Sequence, residues 1–127
     1  MNHYNPDTKP DSQAWLALDE QSRMKLAEDY HRDARVRLER SARKLHAAVH
    51  AIIETQLATG HDSAVRALDR LMTEGLDRHN AVHAIGNVVA QHVFKVMQGR
   101  EGERPSSDVY DRQLDELSIE TWRALNE

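Results

Sequence analysis

The chain repeats one histidine spacing: His46 and His50 stand four residues apart, and so do His79 and His83. On a helix, side chains at this spacing project from the same face, so each pair can converge on one point. Apolar residues around both pairs recur with the period of a helix. The sequence therefore predicts two helices, each of which carries a pair of imidazoles with the spacing of metal ligands.

Helix start and stop signals along the rest of the chain predict an all-α fold without a β-sheet. We expect a compact helical bundle of about five to six helices with short connections. A turn or kink is expected between Ala34 and Ser41, because one helix from Glu20 to Leu57 would be unusually long. The predicted helices are Glu20 to Arg32, Ser41 to Ala58, Ser63 to Glu74, a helix capped by Asp77 that ends at Gln98, Ser107 to Leu117, and a final turn around Trp122.

At 127 residues the chain has the size of a single domain. Residues 1–11 are polar and contain two prolines, so we interpret them as a disordered, mobile lead-in without functional residues. Residues 12–127 are expected to form one helical domain, in which residues 99–106 link the last long helix to a C-terminal helical segment.

Helix lengths indicate that the two histidine pairs meet. At about 1.5 Å per residue, the helix from Ser63 to Glu74 runs back along the bundle axis by about 17 Å. This nearly cancels the distance that the chain covers from His46 to Ala58. The helices with the two pairs would then run parallel, with both pairs at one end of the bundle.

The apolar arcs of these helices predict which site residues face the core. They turn His46, His79 and His83 inward and leave His50 and Glu54 at the rim. Gly86 lies on the same arc as His79 and His83, where the lack of a side chain would let a neighbouring helix approach closely.

The donor set restricts the metals that such a site could hold. The chain has no cysteine, so imidazole and carboxylate are the available ligands, and they favour Zn²⁺, Fe²⁺, Ni²⁺ or Cu²⁺. Glu54 could be a ligand, a partner that orients a histidine, or a general base acting on bound water, and only the last role would make an enzyme. No other catalytic motif is present, so the question of an enzyme stays open. The candidate metal ligands are His46, His50, His79 and His83, with His31 and Glu54 as further candidates.

A structural role is the alternative. The imidazoles could bond to one another and to Glu54, Tyr30 or Asn87, fixing the bundle and opening it when they become charged below about pH 6. Exposed apolar surface would then serve a homodimer or a protein partner. His92 is interpreted as a core histidine, and this is also the alternative for His31, whereas His3 and His61 are interpreted as ordinary exposed residues.

The charge pattern gives no general argument for a nucleic-acid or membrane partner, because the net charge is −4. Six basic residues fall within residues 32–44, but no aromatic residue interleaves with them for base stacking, so we expect no nucleic-acid partner. The chain has no apolar run that could span a bilayer, and its polar start does not resemble a signal peptide. A cytoplasmic location is therefore expected. The six basic residues are Arg32, Arg35, Arg37, Arg40, Arg43 and Lys44.

Four strings carry a resemblance to a known family: Trp15 to Glu20, Glu28 to His31, Leu45 to His50 with Glu54 and Gln56, and Leu76 to His79 followed by His83 to Gly86. They resemble a family of small bacterial proteins described as a domain of unknown function. The resemblance spans residues 15 to 98 and implies an all-helical fold, but no activity. This chain has Thr55 between Glu54 and Gln56, where the resemblance implies Asn.

Overall fold

The computed structural model describes residues 1–33, 40–98 and 107–125, and over these ranges the fold is all-helical without a strand. The predicted fold class is confirmed. None of the helices in these ranges has both the length and the apolar character needed to cross a bilayer. The helices are α1 Ser12–Ala17, α2 Glu20–Asp33, α3 Arg40–Thr59, α4 Asp62–Thr73, α5 Arg78–Gln98, α6 Ser107–Glu116 and α7 Ile119–Leu125.

The described ranges contain seven helices, slightly more than predicted. One reason is that the apolar stretch after Asp11 forms the separate helix α1, in which the Asp11 side chain caps the N-terminus by accepting a hydrogen bond from the N–H of Gln13. Glycines with positive φ, Gly60 and Gly75, follow the ends of α3 and α4 as predicted. The turn expected between Ala34 and Ser41 and the linker 99–106 both lie outside the described residues.

Helix α3 is buried on two sides. Val49 and Ile53 pack into a core shared with α4, α5 and the C-terminal helices. On the other side, Ala47 and Ala51 pack against a second core built around Trp15 of α1. Thr55 belongs to this second contact, because its hydroxyl accepts a hydrogen bond from the indole Nε1 of Trp15 at 3.1 Å.

Helices α3 and α5 run parallel and lie close together. His50 contacts His83. Ile53, three residues further along α3, lies beside Gly86, three residues further along α5, so the two helices run in the same direction. A Cβ atom on Gly86 would lie 3.1 Å from Cγ1 of Val49 and 3.4 Å from Cδ1 of Ile53. The parallel arrangement and the close approach at Gly86 are confirmed, and they bring the two histidine pairs to the same level.

The predicted burial on α3 is wrong for two site residues. His50 and Glu54, expected at the rim, are 1 % and 2 % exposed. The arc was set by the large apolar residues of α3. Its small residues Ala47 and Ala51 carry the contact with the second core, and that contact rotates the buried face toward His50 and Glu54.

The first residues of the chain also pack into the protein. Tyr4 is 1 % exposed and its ring lies 5.6 Å from that of Trp15, while Pro6 is fully buried. The interpretation of residues 1–11 as a lead-in without functional residues is corrected in this respect, because Tyr4 reaches the histidines described below. Its burial depends on an aromatic neighbour in α1, which the polar composition of residues 1–11 could not indicate.

Candidate metal centre

Four histidines converge between three helices. His31 comes from α2, His50 from α3, and His79 and His83 from α5. One nitrogen of each ring belongs to a group whose members all lie within 4.8 Å of one another. The Nε2 atom of His83 is 3.0 Å from Nε2 of His79 and 3.2 Å from Nε2 of His50. The two sequence pairs therefore meet, and α2 supplies a further imidazole.

His46 lies beside this group rather than in it. Its ring centroid is 4.4 Å from that of His31, 4.8 Å from that of His50 and 4.9 Å from that of His83. His31, a secondary candidate in the sequence, takes the place expected for His46. The spacing on α3 could not show this, because it depends on how α2 packs against α3.

The ring orientation of His31 is fixed by the backbone. Its Nδ1 lies 2.6 Å from the carbonyl oxygen of Ala27, which can only accept a hydrogen bond, so Nδ1 carries the proton. In a neutral ring the Nε2 atom then has a free lone pair. That nitrogen is buried and has no hydrogen-bond partner among the described residues. A buried acceptor without a donor costs free energy unless a ligand supplies the missing contact.

The proton of His50 is placed by two further side chains. The Tyr4 hydroxyl lies 2.6 Å from Oε2 of Glu54 and donates its only hydrogen to that carboxylate. The Tyr4 oxygen, 3.1 Å from Nδ1 of His50, must then accept from that nitrogen. His50 is thus protonated on Nδ1, and its Nε2 atom presents a lone pair to the other histidines.

Protons alone cannot satisfy the contacts between these rings. Each neutral imidazole carries one ring proton. If Nε2 of His83 carries the hydrogen, it has no lone pair left and this one hydrogen must serve both His50 and His79. If His79 carries it, the lone pairs of His50 and His83 face each other at 3.2 Å. A cation that accepts several lone pairs at once would satisfy all of these contacts.

The nitrogen spacing suits such a cation. Four nitrogens in a tetrahedron around Zn²⁺ at about 2.0–2.1 Å lie about 3.3–3.4 Å from one another. The two contacts of His83, at 3.0 and 3.2 Å, are close to this separation. The group as a whole, with separations up to 4.8 Å, needs only a modest inward movement to surround one ion.

A buried ion pair supports the site from behind. Nη1 and Nη2 of Arg78 lie 2.8 and 2.7 Å from the two carboxylate oxygens of Glu54, and Nη1 also donates to the carbonyl of Pro6 at 2.8 Å. Both oxygens of Glu54 are therefore engaged. Of the three roles considered for Glu54, these contacts favour an orienting partner, which acts on His50 through Tyr4.

Burial favours the neutral form of four of these histidines. Burial, followed by repulsion from the neighbouring histidines, lowers the pKa of His50 to about 2. Burial, followed by the same kind of repulsion, lowers the pKa of His46 and of His83 to about 4. The pKa of His31 is also lowered, chiefly by burial. These four rings are thus in the neutral form that binds a metal at neutral pH.

The remaining histidines lie outside the group. His3 is exposed, as predicted. His92 is half-buried beside Tyr110, with ring centroids 5.2 Å apart. His61 is not an ordinary exposed residue, because its Nε2 lies 2.8 Å from a carboxylate oxygen of Asp111 and connects the start of α4 to α6.

Two residues of the site were not among the sequence candidates. Arg78 follows the capping residue Asp77 and reads as a solvated charge, and Tyr4 lies in a polar segment. The only available signal was that Glu54, on a largely apolar helix, needed a cation if it was buried. Comparison of the chain with protein-family models, curated proteins and solved structures gives no match, so the site is interpreted from its own geometry.

Replacement of Arg78 by Met should destabilise the protein by about 3–5 kcal/mol, because it leaves the Glu54 carboxylate buried without its cation. The double variant Arg78→Met, Glu54→Gln should recover part of this loss. Urea unfolding at neutral pH measures both effects. The matched control is Arg66→Met, which removes an exposed ion pair with Asp115 and should cost less than about 1 kcal/mol. Equal losses for Arg66→Met and Arg78→Met would contradict the assigned role.

The metal-free protein should lose stability in mild acid. The pKa of His46 and of His83 is lowered to about 4 in the folded state. As the pH falls, these residues therefore take up protons in the unfolded chain at a higher pH than in the folded protein. Their contribution is complete above about pH 6.5, the ordinary pKa of histidine, and is lost as the pH falls toward 4. Urea midpoints measured from pH 7.5 to 4.5 with chelator should therefore fall, and His46→Asn should flatten the decline more than His3→Asn. A flat profile for the unmodified protein would contradict this.

Proposed function

We propose that this protein binds one divalent transition metal ion through His31, His50, His79 and His83. The observation that carries the proposal is the convergence of their nitrogens within 4.8 Å, with a buried lone pair on His31 that has no other partner among the described residues. A purely structural cluster is less well supported, because neutral rings cannot supply enough protons for the contacts of His83.

Imidazole donors favour Zn²⁺, Fe²⁺, Ni²⁺ or Cu²⁺ over Mg²⁺ or Ca²⁺. Both carboxylate oxygens of Glu54 are held by Arg78 and Tyr4, and the convergent group consists of histidines, so the ion would be bound by nitrogen. His46 adjoins three of the four rings, and we place it outside the set of four ligands. The physiological role we assign goes no further than metal binding.

Protein purified without a His-tag or added metal should contain about one transition metal ion per chain by elemental analysis. Metal at about 100 times its Kd should stabilise the folded state by about 2.7 kcal/mol, and chelator should reverse the effect. His79→Ala should weaken binding by more than the roughly 10- to 100-fold that loss of an outer partner costs. The matched control His92→Ala, on the same helix, should bind normally.

The same titration separates the two sets of candidate ligands. His31→Ala should reduce affinity more than His46→Ala, since His31 belongs to the convergent group and His46 adjoins it. A chain that is isolated empty, and whose melting temperature ignores Zn²⁺, Ni²⁺ and chelator, would rule out the proposal and favour the structural cluster.

Tyr4→Phe should lower metal affinity by roughly 10- to 100-fold, because His50 loses the group that fixes its proton on Nδ1. The control is Tyr110→Phe, which removes another buried hydroxyl, bonded to Oε1 of Gln56 at 2.7 Å and remote from the cluster. Isothermal titration of both variants with Zn²⁺ measures the difference. If both variants bind as the unmodified protein does, Tyr4 has no part in presenting His50.

A further inference from the structure

A cleft of about 460 Å³ lies between α3 and α5 and opens beside the histidines. Its size is in the range of small-molecule sites, which are about 300–1,000 Å³. Three histidine rings form part of its wall: His46, His50 and His83. The rest of the wall is mainly apolar and includes Val49, Ile53, Val82, Ala90 and Trp122.

Two residues of the convergent group, His50 and His83, line this cleft, whereas His31 and His79 do not. An ion held by the four nitrogens would therefore have the cleft on its His50 and His83 side. A molecule in the cleft could reach the ion with one donor atom while its remaining atoms contact the apolar wall. The amides of Asn80 and Asn87, also in the wall, offer hydrogen bonds to such a molecule.

The charge balance favours an anion. Four neutral imidazoles leave the full charge of a divalent ion uncompensated. Glu54, the buried carboxylate behind the site, is neutralised by Arg78. Asp7 and Asp77 are exposed and bond to the backbone N–H groups of His79 and Asn80. Among the described residues that line the cleft, none carries a formal charge while the histidines are neutral. An anionic donor would thus supply the missing negative charge.

We propose that the cleft binds a small organic monoanion of the carboxylate class, with its anionic group on the metal and its apolar body between α3 and α5. This rests on the proposed metal site and adds a ligand to it. The apolar wall should then discriminate between anions by the apolar area that they bury. A neutral molecule of the same shape would lack the charge that compensates the ion.

The test uses the full chain loaded with Co²⁺, whose visible absorption changes when a ligand joins the metal. Acetate, benzoate and the neutral isostere benzamide are titrated in turn. Benzoate should bind at least about tenfold more tightly than acetate, because its ring is buried in the cleft. Benzamide should bind at least about tenfold more weakly than benzoate. Equal affinities for acetate and benzoate, or for benzoate and benzamide, would overturn the proposal.

A substitution in the wall of the cleft tests where the benzoate ring binds. Ala90→Phe places a side chain in the cleft about two helical turns from His83, so it should abolish the preference for benzoate and retain acetate binding. The control Gln91→Phe adds the same ring at the next, exposed position of α5 and should keep the preference. Asn87→Trp, at an exposed position of the wall, is the second blocking variant if Ala90→Phe does not fold.

The two proposals fail in different ways. Without a protein-bound Co²⁺ spectrum before any anion is added, the metal site itself is refuted. A Co²⁺ spectrum that is present but unchanged by acetate and benzoate refutes only the cleft ligand. A response to benzoate that survives both blocking variants refutes its placement between α3 and α5.

Discussion

The buried ion pair between Glu54 and Arg78 is the interaction on which the rest of the structure depends. It joins the C-terminal half of α3 to the first residue of α5, and through Tyr4 and Pro6 it also holds the start of the chain. Two charges removed from water are tolerated only when their hydrogen bonds are satisfied, and here both carboxylate oxygens are. A bidentate contact of this kind would break if α3 shifted along α5 by one helical turn, about 5.4 Å. It therefore fixes the level at which the histidines of α3 and α5 meet.

The same carboxylate decides where the protons of the site lie. Glu54 accepts a hydrogen bond from the Tyr4 hydroxyl, so the Tyr4 oxygen accepts one from Nδ1 of His50. The free lone pair on Nε2 of His50 therefore faces His83. Burial then keeps the rings neutral without adding donors for their lone pairs. Stability alone does not account for this arrangement, since an unsatisfied buried acceptor costs about 1–3 kcal/mol and an apolar residue of similar size would not. Convergent lone pairs are what a metal ion requires.

The sequence predicts the helices and the meeting of the two histidine pairs, because both follow from local period and length. It does not predict which face of α3 is buried. That face is set by Ala47 and Ala51, whose small side chains give a weak apolar signal and yet allow the closest packing. Tyr4 and His31 reach the site through contacts with distant residues, and no local pattern records such contacts. The sequence therefore indicated that histidines converge, while which histidines do so depends on the packing of α2 against α3.

The proposed metal site also bears on how the fold is held together. Of the four histidines of the convergent group, His31 comes from α2, whose contact with α3 belongs to the smaller core around Trp15. The other three come from α3 and α5, which share the larger core. An ion bound by all four would join the two cores at a point where ring protons alone leave lone pairs of the histidines unsatisfied. Its binding free energy would then add to the free energy of folding. Metal binding would stabilise the packing of α2 most, because the Glu54–Arg78 pair already fixes α3 against α5 in the absence of metal.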